Sequence, residues 1–106
     1  MKKTQEFNDC AERLKAIADP DRLRIISLLL DGEKNVSEIA DALHEEVVKV
    51  SHHLGILRRA KILISRKQGR FVVYALHPEI FIAPTGPNDE PQLEFGCCHF
   101  QLERPD

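Results

Sequence analysis

Residues 36–76 pack two helical patterns, a polar turn and two β-like runs into about forty positions with almost no slack. Ser37 reads as the cap of a short helix carrying Glu38, Ile39, Ala40, Ala42 and Leu43. His44-Glu45-Glu46 is a polar turn, and a second helix runs from about Val47 to Ala60. Val50, His53 or Leu54, and Leu57 recur at three- and four-residue spacing and face inward. The period then changes to two. Ile62–Arg66 and Phe71–Leu76 flank Lys67-Gln68-Gly69-Arg70, a hairpin with a basic, glycine-containing tip. Two helices joined by a tight turn and followed by a hairpin make a winged helix-turn-helix, mostly α with a small β-hairpin wing.

The flanks supply the rest of the core. Phe7, Cys10, Ala11, Leu14 and Ile17 form one apolar stripe on a helix over 4–17. Asp19-Pro20 ends that helix and starts the next, with Asp19 as cap and Pro20 in the first turn. Arg22–Leu30 is apolar on most sides and reads as the central helix, closed by Asp31-Gly32. His77–Phe81 suggests one more helical turn. Residues 83–92 hold three prolines and a glycine and read as a linker. Beyond it, Leu93, Phe95 and Cys97 share one parity, while Cys98, Phe100 and Leu102 share the other. A uniform strand cannot put both sets on one face, so a bulge or kink is expected near Gly96–Cys98. The expected organisation is a domain over 1–82, a linker over 83–92 and an extended Cys-Cys-His tail over 93–106.

Length and charge narrow the partners. A chain of 106 residues holds one core. No apolar run approaches the ~20 residues of a membrane span, and the N-terminus lacks a signal-peptide stretch, so a cytoplasmic protein with no membrane partner is expected. In that reducing setting three cysteines argue against a disulfide scaffold. The formal net charge of −2 hides a segregation. Residues 44–76 carry Lys49, Arg58, Arg59, Lys61, Arg66, Lys67 and Arg70 against Glu45 and Glu46. The segments on either side are acidic, which points to a localised anionic partner.

Double-stranded DNA fits that pattern. Lys49, Ser51, His52 and Gly55 can share the outer side of the second helix and meet base edges. Arg58 and Arg59 reach phosphates at its far end, and Arg66, Lys67, Gln68 and Arg70 of the hairpin reach flanking phosphates or the minor groove. Ser51 and His52 do not make a catalytic pair, since neighbouring helical residues face apart and no third group orients them, so no enzyme is expected. A winged helix used as a protein-interaction module, binding a basic partner through Glu45, Glu46 and the acidic tail, is the competing reading.

Four stretches resemble the ArsR/SmtB family of bacterial winged-helix repressors. They are Leu14–Ile25, Val36–Ala40, Val50–Leu63 and Arg66–Leu76, in the family's order and spacing over roughly residues 10–77. The resemblance implies a homodimer that binds a partly palindromic operator and lets go when an inducer binds. Three departures stand out. Glu46-Val47-Val48-Lys49 replaces the polar opening common in the family's recognition helix. Asn35, Val36 and Ser37 stand where thiol-metal sensors place cysteines. An extended segment replaces the long final helix.

The cysteines carry the inducer question. Cys97, Cys98 and His99 are consecutive, and Cys10 lies on the first helix. Thiolates and imidazole bind thiophilic ions, and vicinal tail cysteines resemble those of arsenite-responsive family members. Arsenite or another thiophilic metal ion is therefore a candidate inducer, with Cys97, Cys98, His99 and Cys10 as ligands. Neighbours on a regular strand point apart, so either the backbone kinks or Cys97 and His99 act with Cys10. The alternatives are thiol oxidation, a repressor without a ligand, and simple burial of small apolar side chains.

Overall fold

The computed structural model describes residues 2–103, with side chains from Thr4 onward. The final three residues of the expected tail lie outside that range. Four helices come first: α1 (Lys2–Ile17), α2 (Pro20–Leu29), α3 (Val36–Leu43) and α4 (Val47–Arg59). β1 (Lys34–Asn35) precedes α3, and β2 (Leu63–Gln68) and β3 (Phe71–Leu76) follow α4. These strands form an antiparallel sheet in the order β1-β3-β2. β4 (Phe81–Ile82), β5 (Gln92–Glu94) and β6 (His99–Gln101) form a second antiparallel sheet in that order. The winged helix-turn-helix is present, and an extended segment stands where a long final helix was absent from the sequence.

Local chemistry sets the helix boundaries. Asp19 caps α2 by accepting from the Arg22 amide, with Pro20 in the first turn as expected. That bond to the backbone amide lowers the Asp19 pKa below its usual value, helped by the charge of Arg22. The cap of α3 is Asn35 and not Ser37. Asn35 accepts from the Glu38 amide, and the Glu38 carboxylate accepts from the Asn35 amide. This reciprocal capping box satisfies two orphan donors, whereas Ser37 lies exposed inside the first turn. His44 ends α3 with a φ of 55°, and Lys61 turns the chain from α4 into the wing with a φ of 63°.

The wing is narrower and better anchored than its sequence suggests. Gln68 pairs with Phe71, so Lys67 and Gln68 belong to the ladder and only Gly69-Arg70 form the loop. Gly69 takes the positive φ that the first position of such a two-residue turn needs. β1, too short to announce itself by alternation, pairs Lys34 with Tyr74 and Asn35 with Val73. It ties the wing to the start of α3.

The C-terminal segment departs furthest from expectation. His77–Phe81 makes a hydrogen-bonded turn and then enters a strand, with Ile80 and Phe81 amides donating to the His77 carbonyl. Gln92, placed in the linker by composition, begins β5, and Pro91 is fully buried. The parity fault is neither a bulge nor a kink but a complete hairpin. Leu93 pairs with Phe100 and Glu94 with His99, and the Phe95 amide donates to the Cys98 carbonyl across the turn. Residues opposite one another in an antiparallel pair share a face, so both parity sets turn inward. Leu93 and Phe95 are fully buried in the same core as Ile25, Ile39, Leu54 and Leu57. Phe100 meets the Phe95 ring edge-on at 5.2 Å.

The α1 stripe is only half used inside the chain. Cys10 is buried and Ile17 half-buried, while Ala11 is exposed, Phe7 is 62% exposed and Leu14 40% exposed. α2 buries Ile25, Ile26 and Leu29 as a central helix should.

Candidate nucleic-acid interface and thiol centre

Position on α4 follows from its 3.6-residue period. Val50, His53, Leu54 and Leu57 face the core, so both inward alternatives, His53 and Leu54, are realised. The opposite side is a row of Val48, His52, Gly55 and Arg59, spaced by four, three and four residues. Ser51 and Arg58 lie exposed on one flank of that row. Lys49, two residues before Ser51, lies on the other flank. Its ammonium reaches Asp21 of α2 at 3.4 Å and Glu45 at 3.3 Å. The Glu45 hydrogen bond and charge, followed by those of Asp21, raise the Lys49 pKa above its usual value. Lys49 and Ser51 therefore do not share one side.

Two contacts fix how far α4 stands from the body. The Arg22 guanidinium donates from Nε to the Ala16 carbonyl at 2.5 Å and approaches His53 Nδ1 at 3.1 Å. A guanidinium can only donate, so Nδ1 is the acceptor in this contact, and Nε2 lies 3.7 Å from the Asp21 carboxylate. His53 thus pins the corner of α1 and α2 to the inner side of α4. On the outer side, a Cβ at Gly55 would come within 3.3 Å of Arg59 Nη1. The missing side chain lets Arg59 lie back along the helix. Arg59 also borders an open cleft of about 290 Å³ against Glu12, Lys15 and Ala16 of α1.

The wing presents a second basic group. Arg66 is ion-paired with Glu33, in the loop before β1. Lys67, Gln68 and Arg70 are exposed, and Lys67 and Arg70 make no ion pair among the described residues. His52, Gly55 and Arg59 on the outer row, with Ser51, Arg58 and the wing tip, leave a surface of short polar groups backed by cations. Val48, four residues before His52 at the head of that row, is an apolar side chain left 80% exposed.

The cysteines gather at the opposite end of the chain's path. Cys10 of α1 is fully buried, and Cys97 and Cys98 sit in the β5–β6 turn. Their three sulfurs lie within 4.8 Å of one another. Cys10 and Cys97 are joined by a disulfide that links positions 87 residues apart, with Cα atoms 5.8 Å apart. The Cys98 sulfur lies 3.7 Å from that of Cys10. The expectation of no disulfide is corrected: burial of Leu93 and Phe95 carries the turn onto α1, which brings the sulfurs within bonding range. Arg13 strengthens the seat by donating to the Phe95 carbonyl at 3.1 Å. Gly96 turns the chain with a φ of 99°, and its amide donates to the Glu94 carboxylate. His99, expected as a ligand, points away. It is exposed, with Nδ1 3.9 Å from the Glu94 carboxylate, because it pairs with Glu94 on the outer face of the hairpin.

Thiolates that share one ion at about 2.3 Å each cannot lie more than about 4.6 Å apart. The Cys98 sulfur, 3.7 Å from that of Cys10, meets that limit, and Cys97, bonded to Cys10, joins the same donor set once the disulfide is reduced.

Comparison with known proteins places this arrangement. The model of the bacterial regulatory proteins of the arsR family matches residues 19–65, which hold α2, α3, α4 and the start of the wing. SdpR, a transcriptional repressor of Bacillus subtilis, is 35% identical over 66 residues, covering 62% of this chain and 73% of SdpR. The chain belongs to the ArsR family. The arsenical resistance operon repressor of Escherichia coli is 43% identical over 67 residues, which cover 62% of this chain but only 57% of that repressor. Among solved structures, the homodimeric winged helix-turn-helix DNA-binding domain of Mb0332 from Mycobacterium bovis superposes with a TM-score of 0.69 at 30% identity. That match covers 73% of this chain and 71% of the other. As an ArsR-family protein the chain is a DNA-binding transcriptional regulator and not an enzyme, which displaces the protein-interaction reading. No described helix is long and apolar enough to cross a membrane.

Proposed function

We propose that this chain is a homodimeric, sequence-specific repressor that reads its operator through α4 and the wing and is released by a thiophilic metalloid or metal. In its reduced state Cys10, Cys97 and Cys98 hold the inducer. The observation that carries this reading is the gathering of three sulfurs from the two ends of the chain within 4.8 Å. Two relatives support the coarser parts: the Escherichia coli arsenical resistance repressor and the homodimeric Mb0332 domain. The exposed Phe7, Ala11 and Leu14 of α1 offer an apolar stripe to a second copy. Ser51, His52, Gly55, Arg58 and Arg59 of α4 and Lys67, Gln68 and Arg70 of the wing form the DNA-facing set, with Lys49 and Arg66 held in ion pairs at its edges. Coupling runs through α1, which carries Cys10 and borders the same cleft as Arg59. An inducer shifts operator binding only by its differential affinity for the two states.

A second reading is favoured by the disulfide itself: a two-electron oxidant such as a peroxide, taking two electrons and two protons from the Cys10 and Cys97 thiols to leave the observed bond and water, would serve as the signal in place of an ion. Fluorescence anisotropy on DNA from the protein's own upstream region separates the two. Tight binding by the reduced protein that arsenite releases, with release lost in Cys98→Ser, supports the metalloid reading. Indifference to arsenite together with release on oxidation, retained in Cys98→Ser and lost in Cys97→Ser, supports the redox reading. Operator affinity unchanged by both treatments sinks both.

A further inference from the structure

We propose that Val48 is a specificity-determining residue that reads thymine in the operator's major groove through the C5-methyl group. This rests on the assignment of α4 as the DNA-reading helix. Val48 is 80% exposed, the most exposed of the large apolar side chains among the described residues. Scattered apolar residues on a surface need no explanation; the position of this one does. It is the second residue of α4 and heads the outer row that continues through His52, Gly55 and Arg59. The N-terminal residues of a recognition helix are the ones that meet base edges.

Chemistry then selects the base. Thymine alone among the bases shows a methyl group in the major groove; apart from the smaller C5–H of cytosine, the groups that distinguish bases there are hydrogen-bond donors and acceptors. A valine pressed against those would strip their water and return no hydrogen bond, a net penalty. Against a methyl it removes apolar surface from water on both sides. A β-branched side chain in a helix is held in one rotamer, so the two Val48 methyl groups are placed before DNA arrives. Its neighbours leave it the lead. Lys49 is drawn aside by Asp21 and Glu45, and Gly55, two turns further along the same row, adds no side chain to hold α4 away from the groove.

The test begins with selection of duplexes bound by the full chain from a random pool, followed by replacement of each thymine of the selected duplex by deoxyuridine, which removes only the methyl group. At one thymine per half-site the replacement should weaken wild-type binding about fourfold, the worth of one buried methyl group. Val48→Ala, which loses the contact in both half-sites of the homodimer, should bind the thymine duplex less tightly by about the square of that factor, roughly sixteenfold, and be indifferent to uracil at that position. Its melting temperature and salt dependence should match wild type, because Val48 is exposed and touches no phosphate. Equal wild-type binding at every uracil position overturns the proposal, as does a Val48→Ala protein that keeps the methyl preference. Failure to select any duplex overturns the DNA reading of α4, and this inference with it.

Discussion

The surface proposed to face DNA and the thiol centre are built on opposite principles. α4 and the wing are contiguous in the chain, and their outer residues are exposed on a scaffold fixed from below by Val50, Leu54 and Leu57. Each outer side chain acts by where its own helix or strand places it. The thiol centre joins positions 87 residues apart, and Cys10 meets the Cys97-Cys98 pair through no local geometry. Its sulfurs meet because Leu93 and Phe95 bury into the core and Arg13 holds the Phe95 carbonyl. A surface of the first kind tolerates substitution and changes its partner. A centre of the second kind is lost when the packing beneath it is lost.

The sharpest way to break that contrast is to remove the anchor of the hairpin. Phe95→Ala should destabilise the protein by about 3–5 kcal/mol, the cost of emptying a fully buried aromatic site. Urea denaturation monitored by circular dichroism measures it. A stability within about 0.5 kcal/mol of wild type would make the C-terminal segment an appendage after all.

Charge removal on the DNA face tests the other half. Each phosphate contact contributes about −0.9 to the slope of log affinity against log salt. Arg70→Ala and Arg58→Ala should each flatten that slope by about one contact while leaving thermal stability in place. Arg66→Ala should flatten it less, because Glu33 already holds its guanidinium. An anisotropy titration across salt concentrations gives the three slopes, and a steeper loss at Arg66 than at Arg70 would show that the Glu33 pair opens on DNA.

The smallest effect concerns the helix that precedes α4. Asn35→Ala should cost about 1 kcal/mol through the lost capping box, and Ser37→Ala should stay within about 0.5 kcal/mol. Chemical denaturation of the two variants ranks them, and the reverse order would return the cap to Ser37.

Legibility followed the same division. The order of helices, the inward set of α4, the Asp19 cap and the basic wing were readable because each rests on spacing within one element. The cap of α3 was misread by two residues, since Ser37 and Asn35 both have capping chemistry and only the Glu38 bond to the Asn35 amide decides between them. β1 went unseen because a two-residue strand has no period; it exists through its pairing with Val73 and Tyr74.

What the amino-acid sequence determined by itself was the winged helix and the family to which it belongs, through local hydrophobic period, turn chemistry and charge placement. It also located the fault in the tail pattern at Gly96–Cys98. Only the tertiary structure decided that the fault is a reversal, that Cys10, Cys97 and Cys98 share one place, and that His99 does not join them. The reason is physical. A period reports which face of its own element a residue takes, whereas a contact between residues 10 and 97 depends on how every element between them packs.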